Sequence, residues 1–452
     1  MQFESDPLIL NALALLGTGT SLAVIVWHAR KGRPITLFAT YIAILVLEFG
    51  GGLIQSALGE TSLQLPDCGR PLIVRLASLG PLCAGYIAIS LMLHWRSGPL
   101  AAREIAEELH DRVDRSVVAR LWVLCAALSL CTLYPLYVKV RLAGGLSAFF
   151  DVAYSMRFGT HGDPGLDNMM IVASGILAGP LMAVITFLTM AAAGSTRVSL
   201  RFWLPLGAAL SLNLARAAMH GHRAGVVIAA VTPLIAWHLQ RPIALRALMR
   251  IGCLLLLGFL CLNWLHYYRY SVTADWEPRS LSESSMSLLA PHEHLATLAE
   301  VLNSADRSQP LGATQYAHSA AILVPRTLWL DKPEPQHLGS LAVQGWAGLP
   351  VHFQMAVTDV GEAVACMGYG GMAALALWGI LYSMLDWLMY SSAVGRAVVI
   401  GIGITRVLTD QGMGVSSLSN SMVCASIATL LLWMAVPRRL TSPPLLSPQS
   451  TQ

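Results

Sequence analysis

Four short patches carry the residues of this chain that could do chemistry. Leu323-Val-Pro-Arg-Thr-Leu-Trp-Leu-Asp-Lys-Pro-Glu-Pro335 sets Arg326 and Lys332 in a proline-punctuated turn, where a cation has an anion to meet. Arg216-Ala-Ala-Met-His220-Gly-His222-Arg223 places four ionisable groups between two short apolar runs, and ionisable residues among apolar spans mark functional sites by default. On one continuous helix Arg216 and Arg223 share a face with His220 between them, whereas a break at Gly221 turns both ends towards a ligand. Arg157-Phe-Gly159 precedes His161 and Asp163, and Asp359-Val-Gly-Glu362 precedes Gly368-Tyr-Gly-Gly371. Arginine suits phosphate because its planar fork holds two oxygens at once and stays charged when partly desolvated. The plainer reading of any single arginine is ion pairing or snorkelling. With 26 Arg against 3 Lys, arginine-rich coding also contributes to the preference, so the case rests on several arginines sharing one side.

Those groups must be positioned by an unusually apolar chain. Apolar residues make up 55% and charged residues 12%, which excludes an ordinary soluble globular protein and gives an all-α polytopic membrane protein. Apolar runs of helical length fall at about 8–27, 35–58, 76–94, 119–138, 167–193, 202–218, 224–239, 251–267, 372–391, 397–409 and 417–436, about eleven transmembrane helices. The sixth, seventh, eighth and tenth are short, which a tilt, a thinned bilayer or re-entry as half-helices would each accommodate. Glu4 and Asp6 precede the first span and no basic residue does, so it is expected to stay attached with its N-terminus outside. Basic residues close to span ends, from Arg30, Lys31 and Arg33 through Arg96 to Arg120, Arg197, Arg241, Arg396 and Arg438, then fall on the cytoplasmic side. The acidic and basic stretch from Arg96 to Arg115 reads as an interfacial connector. A net charge of +4 gives no reason to expect nucleic acid.

The expected organisation is 1–267, eight spans with arginine-bearing outward loops; 268–371, one large, partly helical periplasmic loop; 372–440, three spans; and 441–452, a disordered cytoplasmic tail. Within the loop, Leu295, Leu298, Val301 and Leu302 have helical spacing, Tyr316 to Val324 reads as a second helix, and a third carries Phe353 to Cys366. Outside also lie Arg70, Arg75, Lys139, Arg141 and other cations, nearly as many as inside, which points to specific partners for some. The eight cysteines offer no disulfide framework, and no CxxC or HExxH spacing points to a metal or other cofactor. Gly50-Gly-Gly52 and Gly401-Ile-Gly403 read as close helix contacts.

Taken in order, Arg157 to Gly159, Arg216 to Gly225, Leu323 to Pro335 and Asp359 to Gly371 resemble the O-antigen and exopolysaccharide repeat-unit polymerases, the Wzy-type family. The third patch, with its "PR, aromatic, KP" pattern, is the most specific. The resemblance covers the middle half of the chain and implies a GT-C-like, metal-independent glycosyltransferase of the bacterial inner membrane, its active site facing the periplasm. It further implies transfer of a growing glycan from undecaprenyl diphosphate to the non-reducing sugar of a new lipid-linked repeat unit. Donor, acceptor and bilayer are then the partners, with a chain-length regulator as a further candidate. Arg157, Arg223 and Arg326, then Lys332 and Arg216, are candidates to hold the diphosphate, whose developing charge preorganised arginines can stabilise. The acceptor hydroxyl needs a base, for which His220, His222, His337, Asp359 and Glu362 are candidates. Asp359 and Glu362 could equally pair with an arginine. Two other functions compete. An O-antigen ligase would use lipid A core as acceptor, and its deletion would leave naked core instead of core bearing one repeat. A flippase would leave repeat units on the cytoplasmic face, although no internal repeat is evident.

Overall fold

The computed structural model describes residues 7–31, 33, 35–46, 69–96, 113, 115–142, 144–145, 176–194, 200–219, 223–241, 243–244, 246–247, 249–253, 298–299, 301–303, 310–314, 358–404 and 414–437. Among the described residues there is no strand. In chain order the helices are α1 (Pro7–Arg30), α2 (Leu37–Val46), α3 (Gly69–Arg96), α4 (Arg115–Leu142), α5 (Ala178–Gly194), α6 (Leu200–Met219) and α7 (Arg223–Gln240). After them come α8 (Asp359–Met367), a 3₁₀ segment Gly368–Ala374, α9 (Leu375–Met389), α10 (Ala393–Val398), a π segment Val399–Ile404 and α11 (Gly414–Ala435).

Among the described residues, four helical stretches are long and apolar enough, by length and composition, to cross a membrane: Leu8–Arg30, Gly69–Leu93, Arg115–Leu142 and, counted as one stretch despite a turn at Gly368, Asp359–Met389. Their outward surfaces fit that role, with Leu8, Leu15 and Leu16 of α1 and Leu130 and Tyr137 of α4 all exposed. Pro81, Pro135 and Pro233 sit inside helices, as apolar bundles tolerate when neighbouring groups satisfy the freed carbonyls. Among the described residues, four shorter apolar helices, Leu37–Val46, Ala178–Ala193, Leu206–Ala215 and Ser421–Ala435, fall within other expected spans, and a fifth, Ala393–Gly403, overlaps the one expected at 397–409.

The chain forms two compact units, 1–96 with 278–384 and 406–420, and 97–277 with 385–405 and 421–452. In the first, α1 and α3 pack along their lengths. A Cβ on Gly17 would stand 2.7 Å from the Leu76 carbonyl oxygen and 2.8 Å from the Gly80 nitrogen, so the absence of a side chain there sets the closeness of the helices. Further along, Ser21 Oγ lies 3.1 Å from Cys83 Sγ and His28 Nε2 lies 2.7 Å from the Tyr86 hydroxyl. The contacts ascend both helices together, so α1 and α3 are parallel. α9 also runs parallel to α3: Gly85 faces Ala376, Gly379 faces Leu82 and Tyr86, and Ser90 Oγ meets Ser383 Oγ at 2.8 Å. Leu298, Val301 and Leu302 are buried in this unit, as their spacing predicts.

In the second unit α5 is central. Leu181 through Leu188 are all buried, and the helix packs on α4, α6, α7, α10 and the π segment. Thr186 and Thr189 donate to the Met182 and Ile185 carbonyls at 2.6 and 2.8 Å, which satisfies their hydroxyls in an apolar setting. A Cβ on Gly401 would stand 2.6 Å from the Ala183 Cα, the close contact expected of Gly401-Ile-Gly403.

Candidate functional site

The described polar centre of the first unit is built around the start of α8. Thr358 caps the helix, its Oγ1 accepting from the Gly361 amide at 3.1 Å, and its carbonyl accepts from the Glu362 amide at 2.8 Å. Asp359 and Glu362 both occupy the first turn, where carboxylates oppose the positive end of the helix dipole. At the other end the Gly368 amide bonds to the Val364 carbonyl. The Leu311 and Gly312 amides satisfy the Ala365 and Cys366 carbonyls at 3.0 and 2.8 Å, so a piece of the 268–371 segment caps this helix.

α8 is not the first half of a straight helix through α9. Gly368 has φ 64°, in the left-handed region that glycine adopts without strain, and the chain turns there. Gly371 then lies directly on the Ala363 carbonyl with no room for a side chain, so the 3₁₀ segment folds back on α8. The result is a helical hairpin whose first arm, Asp359 to Cys366, is wholly buried. The sequence reading places a helix over Phe353 to Cys366 in an outward cap. The described helix starts at Asp359 and is packed inside the unit, because Val360, Ala363 and Val364 give it an apolar face to bury.

Asp359 is the centre of a three-residue cluster. Its Oδ1 accepts from Arg75 Nη1 and from the Val360 amide at 2.9 Å, and its Oδ2 accepts from the Tyr41 hydroxyl at 2.8 Å. The Arg75 guanidinium also lies over the Tyr41 ring, 5.4 Å from its centroid. Arg75 is 0% exposed and Asp359 4%, so each charge depends on the other for solvation lost from water. Tyr41 is flanked by Tyr382, ring centroids 5.5 Å apart, and Tyr382 by Trp378 at 6.1 Å. Near the hairpin turn Arg70 donates to the Tyr369 hydroxyl and lies over that ring, 5.9 Å from its centroid. Glu362, 5% exposed, is three residues after Asp359 and so lies on the same side of α8.

Of the candidates read from sequence, Asp359 and Glu362 are thus brought together within one buried centre. Arg216 lies in the last turn of α6 and Arg223 opens α7. α6 ends at Met219, α7 begins at Arg223, and the two helices pack on each other. His220, His222, His337, Arg157, Arg326 and Lys332 lie outside the described residues, as does the whole of Leu323 to Pro335.

Arg75 and Tyr41 are the residues that sequence reasoning did not assign. The apolar run begins at 76, which left Arg75 in an outward loop, whereas the helix begins at Gly69. Pro71 in the first turn was the available signal, since proline is favoured at helix starts. Arg396 likewise reads as a cytoplasmic flank, yet in the second unit it is fully buried. Its Nε donates to the Met389 carbonyl at 3.3 Å, and its guanidinium lies over Tyr390 at 5.5 Å.

Fold and site together define a helical chain fit to span a membrane with an arginine–carboxylate–tyrosine centre buried in one unit. No protein-family model matches the chain, and no curated protein or solved structure matches it either.

Proposed function

We propose that the chain is a GT-C-like polymerase of lipid-linked oligosaccharide repeat units, with about eleven spans, working at the periplasmic face of the bacterial inner membrane. It would transfer the growing glycan from undecaprenyl diphosphate to the non-reducing sugar of an incoming repeat unit. The observation that carries the reading is the ordered set of four patches, Arg157 to Gly159, Arg216 to Gly225, Leu323 to Pro335 and Asp359 to Gly371. No single patch is as informative as their order.

The parallel run of α1, α3 and α9 supports the topology. These correspond to the first, third and ninth expected spans, and strict alternation requires all odd-numbered spans to run the same way. The outer ends of α3 and of the α8–α9 hairpin then lie on the side to which Arg157, Arg223 and Arg326 are assigned. There the arginines bind the diphosphate, in a setting poor in water where fixed positive charge stabilises the leaving group most strongly. A histidine or Glu362 would take the proton of the attacking hydroxyl.

The test is the lipopolysaccharide or exopolysaccharide profile of a strain lacking the gene. Loss of the polymer with a single repeat still attached to core is the expected result. Naked core would indicate a ligase, and repeat units held on the cytoplasmic face would indicate a flippase.

A further inference from the structure

Asp359 is the best described of the candidate bases, and its surroundings are those of an anchor. A carboxylate that abstracts a proton must present an oxygen to the substrate hydroxyl within hydrogen-bond reach. Oδ1 of Asp359 instead takes donors from Arg75 and the Val360 amide, and Oδ2 takes the Tyr41 hydroxyl at 2.8 Å. The three side chains come from α2, α3 and α8, elements far apart in sequence, with Tyr41 and Asp359 separated by 318 positions. All are buried, at 2%, 0% and 4% exposure.

We infer that Arg75, Asp359 and Tyr41 form a positioning latch that seats the α8 arm against α2 and α3 and so fixes where Glu362 stands, and that Asp359 is not the base. Its role in turnover rests on the polymerase reading above; the latch itself does not. The latch fixes Glu362 because Asp359 holds the first turn of the helix that carries it. The Leu311 and Gly312 amides hold the last turn, so α8 is fastened at both ends. Gly379 and Gly85 leave α9 no slack against α3, and Gly371 leaves none between the 3₁₀ segment and α8.

A double-mutant cycle separates a latch from a base. Removing one partner of a buried ion pair leaves an uncompensated charge, whereas replacing both by apolar residues of similar volume is often neutral. Arg75→Met, Asp359→Leu and the double variant are purified in detergent, melted, and assayed for elongation of lipid-linked repeat units below their melting temperatures. Each single variant is expected to melt lower than wild type and to lose elongation about tenfold or more, in kcat with KM for the donor lipid unchanged. The double variant is expected to regain both the melting temperature and most of the turnover. If a single variant does not accumulate, recovery of folded protein in the double supports the latch, and failure of the double to accumulate overturns it. Additive losses in melting overturn the latch. A double variant that melts like wild type but stays as inactive as Asp359→Leu shows that Asp359 takes part in the chemistry, and overturns its role as an anchor. If wild type itself does not elongate, the polymerase reading fails, and the melting cycle still decides the latch.

Discussion

Gly379→Ala tests whether the crossing of α3 and α9 holds the candidate site together. The added Cβ would lie within contact distance of the Leu82 carbonyl, 2.9 Å from its carbon and 2.8 Å from the Tyr86 amide nitrogen. Unstrained contacts of this kind rest at about 3.5–4.0 Å, so the two helices must part by roughly 1 Å. Both sides of the contact are backbone, and no side chain can swing away to absorb the change. Overpacking of this sort costs about 1–3 kcal/mol. At about 2–4 °C per kcal/mol for a cooperative unit of this size, the melting temperature in detergent should fall by roughly 2–12 °C. Gly80→Ala supplies the control on α3 itself, since nothing lies within 4 Å of its Cβ position. Alanine there gains about 1 kcal/mol of helix propensity, so that variant should melt at or above wild type. If the two variants melt alike, the close crossing is not what fixes these helices. Because α9 continues from the hairpin that carries Asp359, Gly379→Ala should also reduce elongation at temperatures where it remains folded.

Three further outcomes are expected. Tyr41→Phe removes the hydroxyl that donates to Asp359 and leaves the ring in place, so it should cost about 1.5–3 kcal/mol in thermal stability, the range for a hydrogen bond to a charged group. A melting curve superimposable on wild type would show that the bond contributes nothing. Arg223→Ala and Arg326→Ala should each abolish polymer formation in cells with membrane insertion intact; normal polymer at wild-type abundance from both would end the diphosphate-binding proposal. Lysine at either position should rescue poorly if two phosphate oxygens are held at once, and well if charge alone is needed.

The helical character, with helices long and apolar enough to cross a membrane, was legible because apolar runs of this length leave little else to form. α4 over 115–142 encloses the run read at 119–138, and α11 over 414–435 covers all but the last residue of the run read at 417–436. Small-scale packing was legible where it depends on residue type alone, as with Gly401 against Ala183 and the buried Leu298, Val301 and Leu302. The cluster was not. Hydropathy assigns a charged residue beside an apolar run to the adjoining loop, so Arg75 was placed outside although its helix begins at Gly69. Tyr41 sits in an apolar run where a tyrosine reads as core, and nothing local to it announces Asp359 as its partner. The break between a helix ending at Cys366 and a span starting at 372 was legible in Gly368 to Gly371, but only the conformation of Gly368 and the bareness of Gly371 reveal that the chain turns back there.

On the polymerase proposal, the cluster positions the site without taking part in the chemistry. A buried ion pair is weak evidence for stability, because the desolvation of both charges offsets much of their attraction. What it supplies is a single allowed seating for α8, since displacement of the arm would strand two charges in an apolar interior. A first-turn carboxylate held this way lets the second, Glu362, be placed by the rigid helix instead of by its own side-chain freedom.

Reconstitution decides whether the chain polymerises repeat units from a lipid diphosphate donor. The purified full chain is incubated in detergent or vesicles with one undecaprenyl-diphosphate-linked repeat unit and no added metal, and the products are separated by size. A polymerase yields a ladder of products, each longer than the last by one repeat, with release of undecaprenyl diphosphate. Unextended repeat units in the presence of folded protein, or transfer only when lipid A core is supplied, would contradict the polymerase proposal.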